Sequence, residues 1–124
     1  GDRKLMSTKE FVNSFIASRH YNFTVFLCSQ SFTAVPRRCR LQAQQLYFFA
    51  GGQSESETVA EEINPPGLTK HQALNLVLFA TSEPYSFLNF NRRLPHYEGR
   101  YRRNLDENID LNSIPDKKRK LDKQ

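Results

Sequence analysis

Apolar and polar positions alternate between two periods along the chain. Phe11, Val12, Phe15 and Ile16 recur at helical spacing behind Ser7, which forms a candidate capping box with Glu10. A helix is therefore predicted from there to about residues 18–20. The next stretch, Phe23-Thr24-Val25-Phe26-Leu27-Cys28, is an apolar run broken only by Thr24. It reads as a strand buried on both faces, the kind found at the centre of a parallel sheet. It stops at the polar tripeptide Ser29-Gln30-Ser31. Leu46-Tyr47-Phe48-Phe49-Ala50 is a second buried strand, ended by a turn at Gly51-Gly52. Residues 54–62 read as an acidic helix with Val59 and Ile63 facing in and a capping box of Ser54 with Glu57. Asn64-Pro65-Pro66-Gly67 breaks it. Thr69 then caps a helix over 70–81 whose inner face is Ala73, Leu74, Val77 and Leu78, with His71 outside. Glu83-Pro84-Tyr85 is a turn, and residues 85–90 alternate as a strand.

Helices alternating with buried strands predict an α/β domain with a parallel sheet. A helix followed by a buried strand is half of a βαβ unit. The pattern thus expects a strand before residue 1, and the chain reads as the later part of a longer α/β domain. Its 124 residues suit one domain. No apolar run approaches membrane-spanning length, and no secretory signal is visible.

Charge changes this picture. Eighteen Lys and Arg against 13 Asp and Glu leave a net charge of +5, which leans towards an anionic partner, nucleic acid first. Much of the excess lies in the last residues, where Lys117-Lys118-Arg119-Lys120 resembles a targeting or nucleic-acid-binding tract. From Asn104 onward no core-forming pattern is present, and residues 108–124 read as a flexible polar tail. The two cysteines, Cys28 and Cys39, have no metal-ligand spacing. Glu55, Glu57, Glu61 and Glu62 read as a solvated helix face rather than a metal site.

Three places carry candidate chemistry. Ligands in open α/β sheets sit beyond the carboxyl ends of strands. Gln30, with an amide that donates and accepts, could orient a water or touch a phosphate there, or simply end the strand in solvent. Arg37, Arg38 and Arg40 place three cations within four residues. They suit either a solvated turn or a phosphate contact from DNA or a neighbouring subunit's nucleotide. Arg92, Arg93, Arg100, Arg102 and Arg103 follow the last strand and interleave with Tyr97 and Tyr101. They suit phosphate contact with stacking on unpaired bases, and equally a strand at the sheet rim with arginines in water.

The order of these pieces resembles the C-terminal half of the poxvirus-type genome-packaging ATPases of the FtsK–HerA superfamily, found in large DNA viruses, virophages and Maverick-type elements. Three blocks carry the likeness: Ser18-Arg19-His20-Tyr21-Asn22-Phe23-Thr24-Val25 through Gln30, Val35-Pro36-Arg37-Arg38-Cys39-Arg40 with Leu46-Tyr47-Phe48-Phe49, and Ala80-Thr81-Ser82-Glu83-Pro84-Tyr85-Ser86-Phe87-Leu88. Arg100 to Arg103 resembles the family's following basic segment. The likeness spans residues 5–107 and implies the C-terminal portion of a RecA-like parallel-sheet domain. It also implies ATP-driven translocation of double-stranded DNA into a viral capsid, at a viral assembly site inside the host cell or in the virion. By the same likeness Gln30 resembles the polar sensor and Arg40 a trans-acting arginine in a homo-oligomeric ring. ATP and Mg²⁺ would be cofactors of the complete domain.

The sequence departs from the family where nucleotide is held. It contains no Gly-rich Lys-Ser/Thr loop and no strand ending in acidic residues. Residues 1–124 alone are therefore expected not to hydrolyse ATP. The missing half, or a second chain, is an expected partner, and no membrane is expected. The alternatives are a non-enzymatic nucleic-acid-binding module or a structural module derived from such an ATPase.

Overall fold

Strand β1 (Gln45–Phe49) leaves the sheet at Ala50-Gly51-Gly52 and gives way to two consecutive helices, α2 (Gln53–Ile63) and α3 (Lys70–Ala80). The earlier helix α1 (Arg37–Gln42) and a 3₁₀ turn at Phe32–Ala34 precede β1. After α3 come β2 (Phe87–Asn91), β3 (Tyr101–Arg103), β4 (Glu107–Asn108) and a second 3₁₀ turn at Leu111–Ser113. These come from a computed structural model that describes residues 29–95 and 99–116. The helix predicted after Ser7, the strand predicted at residues 23–28, Cys28, Tyr97 and the basic tract at 117–120 lie outside the described residues. The chain divides into two compact units, residues 1–43 and 44–124.

The second unit is mixed α/β. Its four strands form one sheet in the order β1-β2-β3-β4, and every described pair runs antiparallel. The expected parallel arrangement does not describe these strands. One crossover helix returns a chain to start a parallel neighbour. Here two helices lie between β1 and β2, so the chain re-enters the sheet at the end where β1 left it, and Phe49 pairs with Phe87. A loop and a hairpin then join β2 to β3 and β3 to β4.

Helix α2 starts at Gln53 with Gly52 as its N-cap and no side-chain cap bond, so the expected Ser54–Glu57 box is not used. Ser54 is inside the first turn, where its carbonyl accepts from the Thr58 hydroxyl. The helix stops at Asn64, which takes the left-handed conformation at φ 41° before the two prolines. Helix α3 has the expected cap. Thr69 Oγ1 accepts from Gln72 N at 3.1 Å, and Gln72 Oε1 accepts from Thr69 N at 2.9 Å.

Residues Ala73, Leu74, Asn75, Leu76, Val77, Leu78 and Ala80 of α3 are all buried, a broader face than the four expected positions. A helix apolar on nearly all sides needs cover on nearly all sides. Helix α2 supplies one side through Val59, Ala60 and Ile63, and β2 and β3 supply another through Leu88, Phe90 and Tyr101. The third comes from the chain beyond β4. Asn75, 3% exposed, donates its amide to Pro115 O at 2.8 Å, and Gln72 Nε2 donates to Ile114 O at 3.1 Å. Thr69 Oγ1 donates to Asp116 at 2.6 Å, and Ile114 is 8% exposed. The ordered fold thus runs past the expected boundary at 107, to Asp116. Ile114 supplies a single apolar anchor, too little to register as a core pattern.

Removing one partner of a buried hydrogen bond costs about 1–3 kcal/mol. Asn75→Ala is accordingly expected to lower unfolding free energy by about that amount in urea titration. Ile114→Ala should cost about 2 kcal/mol through lost apolar burial. An unchanged denaturation midpoint for both would show that 109–116 do not close the core.

Candidate functional site

The expected sites fall in two places: Gln30 with Arg37, Arg38 and Arg40 of α1 in the first unit, and the arginine-rich stretch in the second. In the first unit, Gln30 lies at a bend just before the 3₁₀ turn and is exposed. Beside it, Ser29 Oγ donates to Ser31 O at 2.9 Å, which ties the bend together. Pro36 caps α1, and the helix runs Arg37-Arg38-Cys39-Arg40-Leu41-Gln42. Its faces differ sharply: Arg37 and Arg38 are exposed, Cys39 is fully buried and Arg40 is half-buried. The Arg40 guanidinium lies over the Phe32 ring at 4.8 Å, and Nη1 donates to Phe32 O at 3.4 Å. A planar cation held against a ring and a carbonyl has lost most of its rotamer freedom. Burial pushes the Cys39 thiol up from its ordinary value, with the Arg38 charge opposing, so it is no activated nucleophile.

The second site is the arginine-rich stretch after β2. Arg103 is the most engaged. Its Nε and Nη2 make a two-pronged contact with the Glu107 carboxylate at 3.0 and 2.9 Å. A second carboxylate, Glu83, lies 3.6 Å away, and the guanidinium sits 4.5 Å over the Phe79 ring of α3. Arg100 bonds backbone carbonyls, its Nε donating to Leu94 O and Nη2 to Arg92 O, which closes the loop between β2 and β3. Arg92 lies over the Phe90 ring at 5.0 Å. Burial lowers its proton affinity, while the Glu62 carboxylate on α2 holds the charge. Arg102 donates through Nη1 to Leu105 O at 3.2 Å. Gly99 sits on top of its guanidinium at φ +94°, and any Cβ there would come within 2.6 Å of Nη2. Only Arg93 is fully exposed among the five.

Four of these five arginines therefore bind carbonyls, carboxylates or rings of their own fold. Of the two tyrosines interleaved with them, Tyr101 is 2% exposed and lies against Phe90 at 5.5 Å between rings. It cannot stack on a base from there. Nor is β3 at the rim, since β4 pairs outside it. The sequence did not reveal the acceptors of Arg100 and Arg102, because those carbonyls lie on turns whose geometry no local pattern encodes. Glu107, four residues beyond Arg103, was the one signal.

Sequence reasoning also missed the sheet surface opposite α3. Leu46–Ala50 was expected to be a buried strand, yet Tyr47 is 51% and Phe49 55% exposed, and only Phe48 is buried. In the described sheet β1 is at one edge, and the pleat sends Tyr47 and Phe49 to one face and Phe48 to the other. An unbroken apolar run does not tell a strand covered twice from one covered once. Glu57 and Glu61 of α2 are exposed while Glu55 and Glu62 are half-buried. No cluster of metal-ligating side chains is found among the described residues. No helix among them is long and apolar enough to cross a membrane. No family model, curated protein or solved structure matches this chain.

The Glu83-Pro84-Tyr85-Ser86 turn carries one more irregularity. Ser86 N closes it on Glu83 O at 3.0 Å, and Tyr85 holds φ 67° with its ring 94% exposed. A positive φ at this place in a turn favours glycine, and a bulky residue there costs about 1 kcal/mol or more. Tyr85→Gly should therefore raise the unfolding free energy by about 1 kcal/mol in thermal or urea melts; a loss of stability would show that the ring is held by contacts within the fold. Tyr101 makes a pH prediction. Burial raises its hydroxyl above the ordinary value of 10.0, with the Arg100 charge opposing. The folded chain then keeps this proton more tightly than the unfolded chain. Its contribution is complete below pH 10 and is lost as pH rises beyond. Tyr101→Phe should flatten the alkaline fall in stability, and an unchanged slope between pH about 9 and 11 would refute the assignment.

Proposed function

We propose that this chain supplies the later part of an ATP-driven motor that moves double-stranded DNA, similar to the viral genome-packaging ATPases. The support is the order of elements: an exposed polar Gln30, a short helix bearing Arg40, a strand, two helices, the Glu83-Pro84-Tyr85 turn, a strand and a basic segment. The observation that carries most weight is Arg40. Its guanidinium is oriented by Phe32 on a short helix that also presents Arg37 and Arg38 to solvent. A positioned arginine is what stabilises charge spread over a transferring phosphoryl group, whereas a freely moving one would first have to be ordered. The RecA-like parallel sheet belongs to this reading. So do ATP, Mg²⁺, the ring, the capsid and a half-domain or second chain that holds the phosphates.

In this mechanism Gln30 has a transition-state role. It orients the attacking water and contributes little to ground-state binding, which the phosphate loop and the metal dominate. Gln30→Ala should lower turnover with nucleotide affinity nearly intact. Arg40 acts on the neighbouring subunit's nucleotide, where a trans arginine is worth about 10³-fold or more in rate. The decisive experiment uses the protein assembled with its phosphate-loop half and measures ATP turnover in mixed rings. Arg40→Ala subunits mixed with subunits dead in the phosphate loop should regain activity, because in some arrangements both defects meet at one site and leave the next with an intact phosphate loop and an intact arginine. If subunits exchange and nothing is regained, Arg40 does not act in trans. Its contacts with Phe32 are then structural.

A nucleic-acid-binding module without nucleotide is the second reading, favoured by exposed Arg93, Arg37 and Arg38. Because Arg103 is committed to Glu107 and Phe79, Arg103→Ala should cost stability, about 1 kcal/mol, and leave the salt dependence of duplex binding unchanged. Arg93→Ala should do the reverse, flattening the salt slope by about one phosphate contact. Equal effects of the two variants on that slope would restore Arg103 as a DNA contact.

A further inference from the structure

The register of the sheet places Gln45, Tyr47, Phe49, Phe87, Asn89, Asn91, Arg102 and Asn108 on one face. On this face Tyr47 and Phe49 stand half in water, with the Phe87 ring next to both at 5.4 and 4.9 Å. Beside the rings lies an amide row. Gln45 Nε2 donates to Asn89 Oδ1 at 3.2 Å and to Tyr47 Oη at 3.1 Å. Arg102 is directly opposite Asn89 on the next strand, and exposed Arg93 follows Asn91 at the Gln45 end. No strand residue of this face is a carboxylate; Glu107 points to the other face, where it meets Arg103.

We propose that this face binds single-stranded nucleic acid by stacking unpaired bases on Tyr47 and Phe49. Each π-face accepts any base, and the exposed Gln45 amide meets base edges, which both donate and accept. Exposed Arg93, at the Gln45 end of the face, meets the phosphates. Charge complementarity selects this occupant. A face whose strand residues carry no carboxylate, with exposed Arg93 beside it, favours a polyanion with aromatic groups over a second copy of the same chain. The duplex hides its base faces and cannot use the rings, so this activity is separate from the movement of duplex DNA and does not depend on nucleotide hydrolysis.

The test is fluorescence anisotropy of the full chain with labelled oligothymidylate, oligouridylate and a blunt duplex of equal length, all at low salt. The single strands should bind at least ~10-fold more tightly than the duplex, and the ratio between the two single strands identifies DNA or RNA as the source. The double variant Tyr47→Leu, Phe49→Leu should lose ~10-fold or more on single strands and nothing on the duplex. If that variant misfolds, the unmodified chain still answers, since stacking must quench its tyrosine fluorescence with oligothymidylate and not with duplex. Equal affinity for single strands and duplex, or absence of quenching, overturns the proposal. So does sedimentation showing a dimer that the double variant dissolves, because the face is then an interface between copies.

Discussion

Helix α3 cannot exist in water by itself, and the rest of the second unit is arranged to keep water from it. Seven of its residues are buried, one of them the amide of Asn75. Three separate pieces of chain close on it: α2, the inner face of β2 and β3, and the segment ending at Asp116. Cover on only two sides would leave Leu76 or Asn75 facing solvent. The Asn75 bond to Pro115 O is the directional part of an otherwise directionless apolar cluster. It determines which stretch of the C-terminal chain closes the third side, since an apolar residue there would accept many partners.

The arginines show the same constraint at the surface of this unit. Antiparallel strands as short as β3 and β4 leave turn carbonyls with no ladder partner. Arg100 and Arg102 donate to them, and Asn104 continues the ladder with its side chain. Its N–H donates to Phe87 O at 2.8 Å while its Oδ1 accepts from Phe87 N at 3.2 Å. Positive charge in this stretch is thus first a property of how the loop is held. That is why a cluster conspicuous in the sequence is only partly available to a ligand.

Legibility in the sequence followed the range of the interaction. The Thr69 cap, the breaks at Asn64-Pro65 and Glu83-Pro84, and the inward side of both helices are local, and spacing alone revealed them. Strand direction was not local. It depended on two helices intervening between β1 and β2, and on how they turn the chain. The exposed side of β1 was hidden because Leu46 to Ala50 is apolar throughout. The engagement of Arg103 was half visible, in Glu107 four residues on, and half not, in Phe79 and Glu83. At Gln30 and Arg40 the sequence named residue types suited to phosphate chemistry. The structure adds exposure for one and a fixed orientation for the other.

The contacts that close α3 span long stretches of chain: Thr69 reaches Asp116, and Asn75 reaches Pro115. Such contacts form only after the intervening loop has been closed, and their entropy cost comes before their stabilisation. On the ribosome, α3 emerges well ahead of the residues that cover its third side. Until Asp116 clears the exit, Leu76 and its neighbours face an incomplete shell. A nascent chain paused between β2 and β4 would thus present a greasy helix with one bare flank. That interval is when this protein most needs a chaperone, or a neighbouring segment, to stand in for its own last residues.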